Sequence, residues 1–334
     1  MDLMNPVDLQ QQQILQMLSQ ASKVLLIVHK VPDGDCLGSV SAMLTRLRGQ
    51  GLQAIAYCDD PVPDSYRFLP AMDQVFQAST IPEFTPELVI VIDCADEGRI
   101  GDGSRFLQGQ APVINIDHHV GNSQFGHINW VDSQAAACGE MIYRLCTTAS
   151  WHITDDMATA IYTSLMTDTG SFQYANTTPQ TLRLAADLRE MGARTDEIRE
   201  KVFESRPRAF VNLLAQILPT LEVSDDGRVA SLTVTREAMV QAGASEGDCD
   251  GLINYPRFLA GVQVALLFKE AGEEIFRVGF RSKGNIDVYA IARQFGGGGH
   301  RKASGCTLSG TLAEVKQQVL GAVRSSLEPL EIPT

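Results

Sequence analysis

In the N-terminal part of the chain the apolar positions fall in short unbroken runs rather than in strict alternation. Residues 24–28, 54–57, 88–92 and 113–116 are near-continuous apolar stretches, the pattern of strands buried on both faces by helices. A polar-rich helix is expected over residues 9–20, and helical spacing separates the runs, so this part reads as a doubly wound, mainly parallel sheet. From about Cys138 to Pro219 the periodicity turns helical, with helices predicted over residues 157–167, 179–191, 196–204 and 208–218. Strand character returns at 229–234, 262–268 and 275–280, followed by a helix near 288–294, a glycine run, a further strand and a last helix near 312–327. The expected fold class is α/β. A sheet domain spans residues 1–195, a helical connector 196–225, and a smaller α/β domain 226–334.

Composition agrees with two globular domains: 334 residues, 44% hydrophobic and 20% charged, lie far from a disordered chain. The N-terminus is polar, with no basic stretch leading into an apolar core, and no apolar run approaches the roughly 20 residues that a bilayer span needs. A cytoplasmic location without membrane partners is expected. The seven cysteines are scattered and never spaced C-x-x-C, which suggests neither a disulfide framework nor a thiolate zinc site. A net charge of −13 argues against a protein that tracks long nucleic acid by neutralising its phosphates. Short anionic substrates remain compatible if carboxylates gather a metal and basic groups gather locally.

Both features are present. The first apolar run ends in His29-Lys30-Val31-Pro32-Asp33-Gly34-Asp35, an imidazole and two carboxylates that a tight Pro/Gly turn would aim at one point. Open α/β sheets bind ligands beyond the carboxyl ends of their strands, which is where this turn belongs. The third run ends in Asp93, the fourth in Asp117-His118-His119, and a predicted helix ends at Asp168. Any one of these is an ordinary strand-end polar residue; the set is not. Oxygen and imidazole donors without thiolate favour Mn(II) or Mg(II) over zinc, iron or cobalt. With at least six candidate ligands, and a carboxylate such as Asp93 able to bridge, two ions about 3.5–4 Å apart are expected, as in many phosphatases and nucleases. Water acidified between such ions attacks phosphorus in line, and no side-chain nucleophile is required.

Near the C-terminus, Phe295-Gly296-Gly297-Gly298-Gly299-His300-Arg301-Lys302-Ala303-Ser304-Gly305 places four glycines before a basic triplet. Gly297, Gly298 and Gly299 would let backbone N–H groups approach an anion closely, although a flexible turn is an equally good reading of the glycines alone. Neither a Walker loop nor a dinucleotide fingerprint is spelled. Between Arg257 and Lys302 there are eight Lys/Arg against four Asp/Glu, a local positive excess in an acidic chain. Arg257 and Arg281 are candidates for bidentate phosphate contacts, and His300 and Ser304 for hydrogen bonds to the substrate.

In order along the chain, His29, Asp33-x-Asp35-x-x-Gly38-Ser39, Asp93, Asp117-His118-His119 and Asp168 resemble the motif set of the DHH phosphoesterases. The glycine–histidine segment with Ala303-Ser304-Gly305 resembles the signature of the DHH-associated substrate-binding domain, so the resemblance covers nearly the whole chain. Together they are similar to the NrnA-type group of oligoribonucleases and pAp phosphatases. That resemblance implies two Mn(II) ions, replaceable by Mg(II) or Co(II). One would be held by His29, Asp33 and Asp93, the other by Asp35, Asp93, His118 and Asp168. It implies that Asp117 orients His118, that His119 touches the phosphate, and that the second domain closes over an active-site cleft. Phe172 or Tyr174 would stack a base, and the enzyme would be a homodimer acting on very short RNA or a nucleotide bisphosphate. One departure is Cys138 in Ala137-Cys138-Gly139-Glu140, where similar proteins often carry Ser or Thr; it removes no ligand.

The same core serves phosphodiesterases of linear or cyclic dinucleotides, which is the alternative function. A family II inorganic pyrophosphatase is disfavoured by the glycine–histidine segment, and a RecJ-like exonuclease by the short length and negative charge. A catalytically silent nucleotide-binding module would have lost ligands, and none is missing.

Overall fold

The structure, a computed structural model, describes residues 6–327, and the chain divides between Ser205 and Arg206 into two compact units. In the first unit the apolar runs form β1 (Lys23–Ile27), β2 (Gln53–Tyr57), β4 (Leu88–Ile92) and β5 (Val113–Asp117), joined by the short β3 (Val75–Phe76) and by β6 (Ile128–Val131). All neighbours pair in parallel, in the order β3-β2-β1-β4-β5-β6. The helices are α1 (Pro6–Gln20), α2 (Gly34–Gly49), α3 (Cys138–Thr148), α4 (Asp155–Asp168), α5 (Pro179–Glu190) and α6 (Thr195–Ile198).

Alternate residues of β1 enter different cores. Val24 and Leu26 join the cluster built with α2, α3 and α4, whereas Leu25 and Ile27 join a second cluster with Val89, Val91 and Ile100. Burial on both faces is why these strands read as unbroken apolar runs. β3 and β6 were not predicted: β3 has two half-buried residues, and β6 is an edge strand with only Trp130 fully covered. Strand order reverses at β1, whose neighbours are β2 and β4. The crevice outside the carboxyl ends of β1 and β4 is therefore the topological switch point at which this architecture binds ligands.

Two predicted segments differ in conformation. The expected tight turn at Asp33-Gly34-Asp35 is a helix start: Asp33 caps α2, its carboxylate accepting the N–H groups of Asp35 and Cys36, and Asp35 lies in the first turn. The helix predicted at 196–204 divides into α6 and a π-helical turn, Arg199–Phe203.

α2, α3 and α4 approach one another at backbone distance. A Cβ on Gly38 would lie 2.5 Å from the Ala160 carbonyl oxygen, and one on Gly139 would lie 2.2 Å from Ser164 Oγ. Gly38→Ala is therefore expected to destabilise by about 1–3 kcal/mol despite the roughly 1 kcal/mol gain in helix propensity. Urea unfolding measures this, and a stabilised variant would mean that the helices can separate freely.

The second unit comprises α7 (Arg208–Ile217), β7 (Glu222–Val223), β8 (Val229–Val234), α8 (Arg236–Ala242), α9 (Asn254–Phe258), β9 (Val264–Gly272), β10 (Ile275–Ser282), α10 (Val288–Arg293), β11 (Gly298–His300), β12 (Ala303–Ser309) and α11 (Leu312–Ser326). Its sheet runs β11-β12-β10-β9-β8-β7, with β8 and β9 parallel and the other pairs antiparallel. α10 and α11 cover one face around Phe268 and Phe280, while α7, α8 and Leu252 cover the other around Leu232 and Ala265. The glycine run is partly strand, because Gly298–His300 pairs with β12 at the sheet edge. Among the described residues no helix is long and apolar enough to cross a membrane.

Candidate metal centre

β1 delivers His29 to the switch point. The buried ring donates through Nδ1 to the Lys30 carbonyl at 2.7 Å, which leaves Nε2 as a lone pair. That atom is buried and has no hydrogen-bond partner among the described residues. It faces Asp93 Oδ2 at 3.6 Å and Asp33 Oδ2 at 3.9 Å. A buried lone pair set against two carboxylate oxygens is unfavourable unless a cation lies among them. The turn that brings Asp33 round is strained: Val31, a β-branched residue, has φ 54° and is tied by its N–H to Asp60 Oδ2 at 2.7 Å.

β4 delivers Asp93, whose N–H still bonds the Ile116 carbonyl at 2.9 Å but whose φ is 61°. Asp is among the few residues that tolerate this left-handed conformation. Its two carboxylate oxygens face different groups. Oδ2 turns to His29, while Oδ1 lies 3.6 Å from His118 Nε2 and 3.4 Å from His119 Nδ1. The donor atoms of His29, Asp33, Cys36 and Asp93 all lie within 4.8 Å of one another, as do those of Asp35, Asp93, His118 and Cys138. Asp93 belongs to both sets.

His118 donates through Nδ1 to the Ala135 carbonyl at 3.1 Å, and its Nε2 faces Asp35 Oδ2 at 3.3 Å and Asp168 Oδ2 at 3.9 Å. Asp168 is the last residue of α4, and Asn176 Nδ2 donates to its Oδ2 at 3.3 Å. Asp35 is held more firmly. Its Oδ1 accepts from Ser39 Oγ, Ser164 Oγ and the Gly139 N–H, and its Oδ2 accepts the Cys138 N–H at 2.8 Å. The two amides open α3, and a helix N-terminus favours an anion.

Charge is out of balance here. Burial, then Asp35 and Asp33, pushes the Asp93 carboxyl well above the ordinary carboxylate range. Burial opposes protonation of His118, yet Asp168, Asp35, Asp93 and Asp117 outweigh it and raise the imidazole to about 10. Both shifts report crowded carboxylates that a cation would relieve. Burial, aided by neighbouring carboxylates, pushes the Cys36 and Cys138 thiols well above their ordinary range, so the donor set is one of oxygen and imidazole. All seven cysteines are buried with free thiols.

The resemblance implies that Asp117 orients His118; in the structure its carboxylate bonds His119 and Asn122 instead. Its Oδ1 accepts the Nδ1–H of His119 at 2.7 Å and its Oδ2 accepts from Asn122 Nδ2 at 2.6 Å, because His118 turns instead to Ala135. Burial works against ionisation of Asp117, but these bonds and His119 hold it below the usual range. Phe172 is also placed differently: it packs on the core edge-on to Tyr162, with ring centroids 5.7 Å apart. Three polar neighbours of the centre were not singled out from the sequence, namely Arg99, Asn122 and Ser164. Only the proximity of Arg99 to Asp93 in the chain could have drawn attention to it.

In the second unit, strand register relates the remaining candidates. Ala303 of β12 pairs with His300 of β11 on one side and Arg281 of β10 on the other, so His300 and Arg281 share a face. Ser304 Oγ donates to the His300 carbonyl at 2.7 Å. Gly297 and Gly299 sit where a Cβ would meet the Gly305 and Ala303 carbonyl oxygens at 2.2 and 2.6 Å, whereas Gly298 has open space. Close strand approach thus accounts for two of the glycines. Arg257 lies on α9.

Residues 23–166 match the DHH family, N-terminal domain, and residues 226–328 match the DHHA1 domain. The chain is 34% identical over 306 residues to the bifunctional oligoribonuclease and PAP phosphatase NrnA of Thermus thermophilus, covering 91% of this chain and 90% of that protein. It is 29% identical to the protein of the same name from Bacillus subtilis, covering 89% of this chain and 92% of that one. Among solved structures, an exopolyphosphatase-related protein from Bacteroides fragilis superposes with a TM-score of 0.87 at 24% identity, covering 95% and 96% of the two chains. Motifs, sheet order and this similarity along nearly the full length agree: the chain belongs to the DHH family and joins a DHH N-terminal domain to a DHHA1 domain.

Proposed function

We propose that the chain is a divalent-metal-dependent phosphoesterase that releases nucleoside monophosphates from RNA a few nucleotides long and removes the 3′-phosphate of pAp. The carrying observation is the Asp93 carboxylate at the switch point, one oxygen toward His29 and the other toward His118. The names of the relatives from T. thermophilus and B. subtilis support the substrate class. On this reading His29, Asp33 and Asp93 hold one Mn(II), and Asp35, Asp93, His118 and Asp168 hold the other, with Mg(II) or Co(II) able to substitute. The unpartnered Nε2 of His29 and the hard oxygen donors fit such ions. When bound, the ions supply Lewis acidity at phosphorus and acidify water.

The chain's own residues do the rest. Asp93 fixes the spacing of the two ligand groups. Asp35, locked by four hydrogen bonds, presents a single oxygen toward His118. Asp117 and His119 support the catalytic centre. In the second unit His300, Arg281, Arg257, Ser304 and the backbone of Gly297, Gly298 and Gly299 would hold substrate phosphates. The net charge of −13 restricts the substrate to short chains, since long RNA binds through many phosphates.

A turnover panel with Mn(II) tests this: 5′-labelled RNA dimers to five-mers, a 24-mer, pAp, cyclic dinucleotides and pyrophosphate. The expected result is preference for the shortest RNAs, with pAp dephosphorylated and the 24-mer spared. Preference for cyclic dinucleotides or pyrophosphate would retain the centre and reject the substrate.

A further inference from the structure

Arg99 closes the 3₁₀ turn Glu97–Arg99 next to the centre, half-buried. Its Nη1 lies 3.2 Å from His119 Nε2. A guanidinium has five N–H donors and no acceptor, so the ring nitrogen must accept. The imidazole proton then sits on Nδ1, where it is donated to Asp117 Oδ1 at 2.7 Å, and Asp117 is fixed in turn by Asn122. His119 Nε2 therefore has no proton to offer a phosphate oxygen.

The guanidinium makes no other hydrogen bond with the described residues, and no carboxylate oxygen lies within 4.0 Å of it. After the cost of burial, Asp93 nevertheless leads the electrostatic attraction it feels, ahead of Cys94 and Asp33. A half-buried cation beside two ligand carboxylates, aimed by a histidine and paired with neither, is poised for an anion that arrives later.

We infer that Arg99 is the phosphate-binding cation of the first unit, contacting a non-bridging oxygen of the scissile phosphate, and that His119 positions its guanidinium instead of touching the substrate. This rests on the phosphoester reading above. Charge on the non-bridging oxygens is what such a group stabilises as the bond to the leaving oxygen breaks.

Substitution should spare the fold, because the link from Arg99 to the His29 turn is a backbone bond, Lys30 N–H to the Arg99 carbonyl at 2.8 Å. The test compares wild type, Arg99→Ala and Arg99→Lys in the Mn(II)-loaded full chain. Expected for Arg99→Ala are unchanged metal content, a kcat on RNA dimers lower by about 100-fold, and partial recovery with millimolar guanidinium. Arg99→Lys should fall between, having charge without the fork. Inorganic phosphate, titrated calorimetrically, should bind at least about tenfold more weakly to Arg99→Ala, a loss of one charged hydrogen bond. In wild type loaded with diamagnetic Mg(II), the ¹⁵N shift of His119 Nε2 should report an unprotonated nitrogen that moves on loss of Arg99. Undiminished phosphate affinity, or metal loss in step with activity, would overturn the inference. If wild type turns over no RNA or pAp, the substrate reading fails, while the phosphate titration still decides the role of Arg99.

Discussion

Asp93→Asn will lower turnover by about a thousandfold or more while leaving the first unit folded, since removing a shared ligand forfeits several kcal/mol of metal-derived stabilisation. The amide is nearly isosteric and tolerates the left-handed backbone at φ 61°, so the variant separates chemistry from folding in a way that Asp93→Ala does not. Asparagine offers one neutral oxygen where the carboxylate presents two charged ones to His29 and to His118. Metal content should fall with activity. A rate close to wild type with Mn(II) would mean that no shared ligand drives the reaction.

Removing divalent metal should abolish turnover and also loosen the protein. Protein holding metal at about 100 times its dissociation constant gains about 2.7 kcal/mol, worth roughly 5–10 °C in Tm for a unit of this size. Calorimetry of the full chain with Mn(II) and with chelator would show it, and equal melting of the two forms would reject the proposed ligands. The proton balance sets the pH dependence. Asp93, raised chiefly by burial and by Asp35 and Asp33, and His118, raised to about 10 by the carboxylates around it, both bind protons more tightly than usual in the metal-free centre. Those protons must leave when metal enters, so affinity rises with pH and loading releases acid. Titration in buffers of different ionisation enthalpy measures the number released.

The four long parallel strands were legible because burial on both faces leaves an unbroken apolar run, as in β4, where every residue is buried. β3 and β6 left no such mark, since an edge or a two-residue strand needs no continuous run. His29 and Asp93 could be placed at strand ends from the sequence alone. Their meeting depended on the reversal of strand order beside β1, which no local pattern encodes. The turn read at Asp33-Gly34-Asp35 was a cap, and proline and glycine suit either. Which of two adjacent histidines Asp117 serves was decided by the Ala135 carbonyl, eighteen residues downstream of Asp117. Arg99 stayed unnoticed for the same reason: its partner is twenty residues away.

The hydrogen bonds of Asp35 set an order in which this lineage could lose its chemistry. Asp168 lies at a helix end and is partly open to solvent, and Asp33 is exposed, so the groups that either would leave behind lie within reach of water. Asp35 cannot drift so readily, because its loss would strand two serine hydroxyls and the Cys138 amide in the interior, a cost of several kcal/mol. Descendants that abandon catalysis are expected to keep Asp35 as a fossil of the centre long after Asp168 and Asp33 have gone.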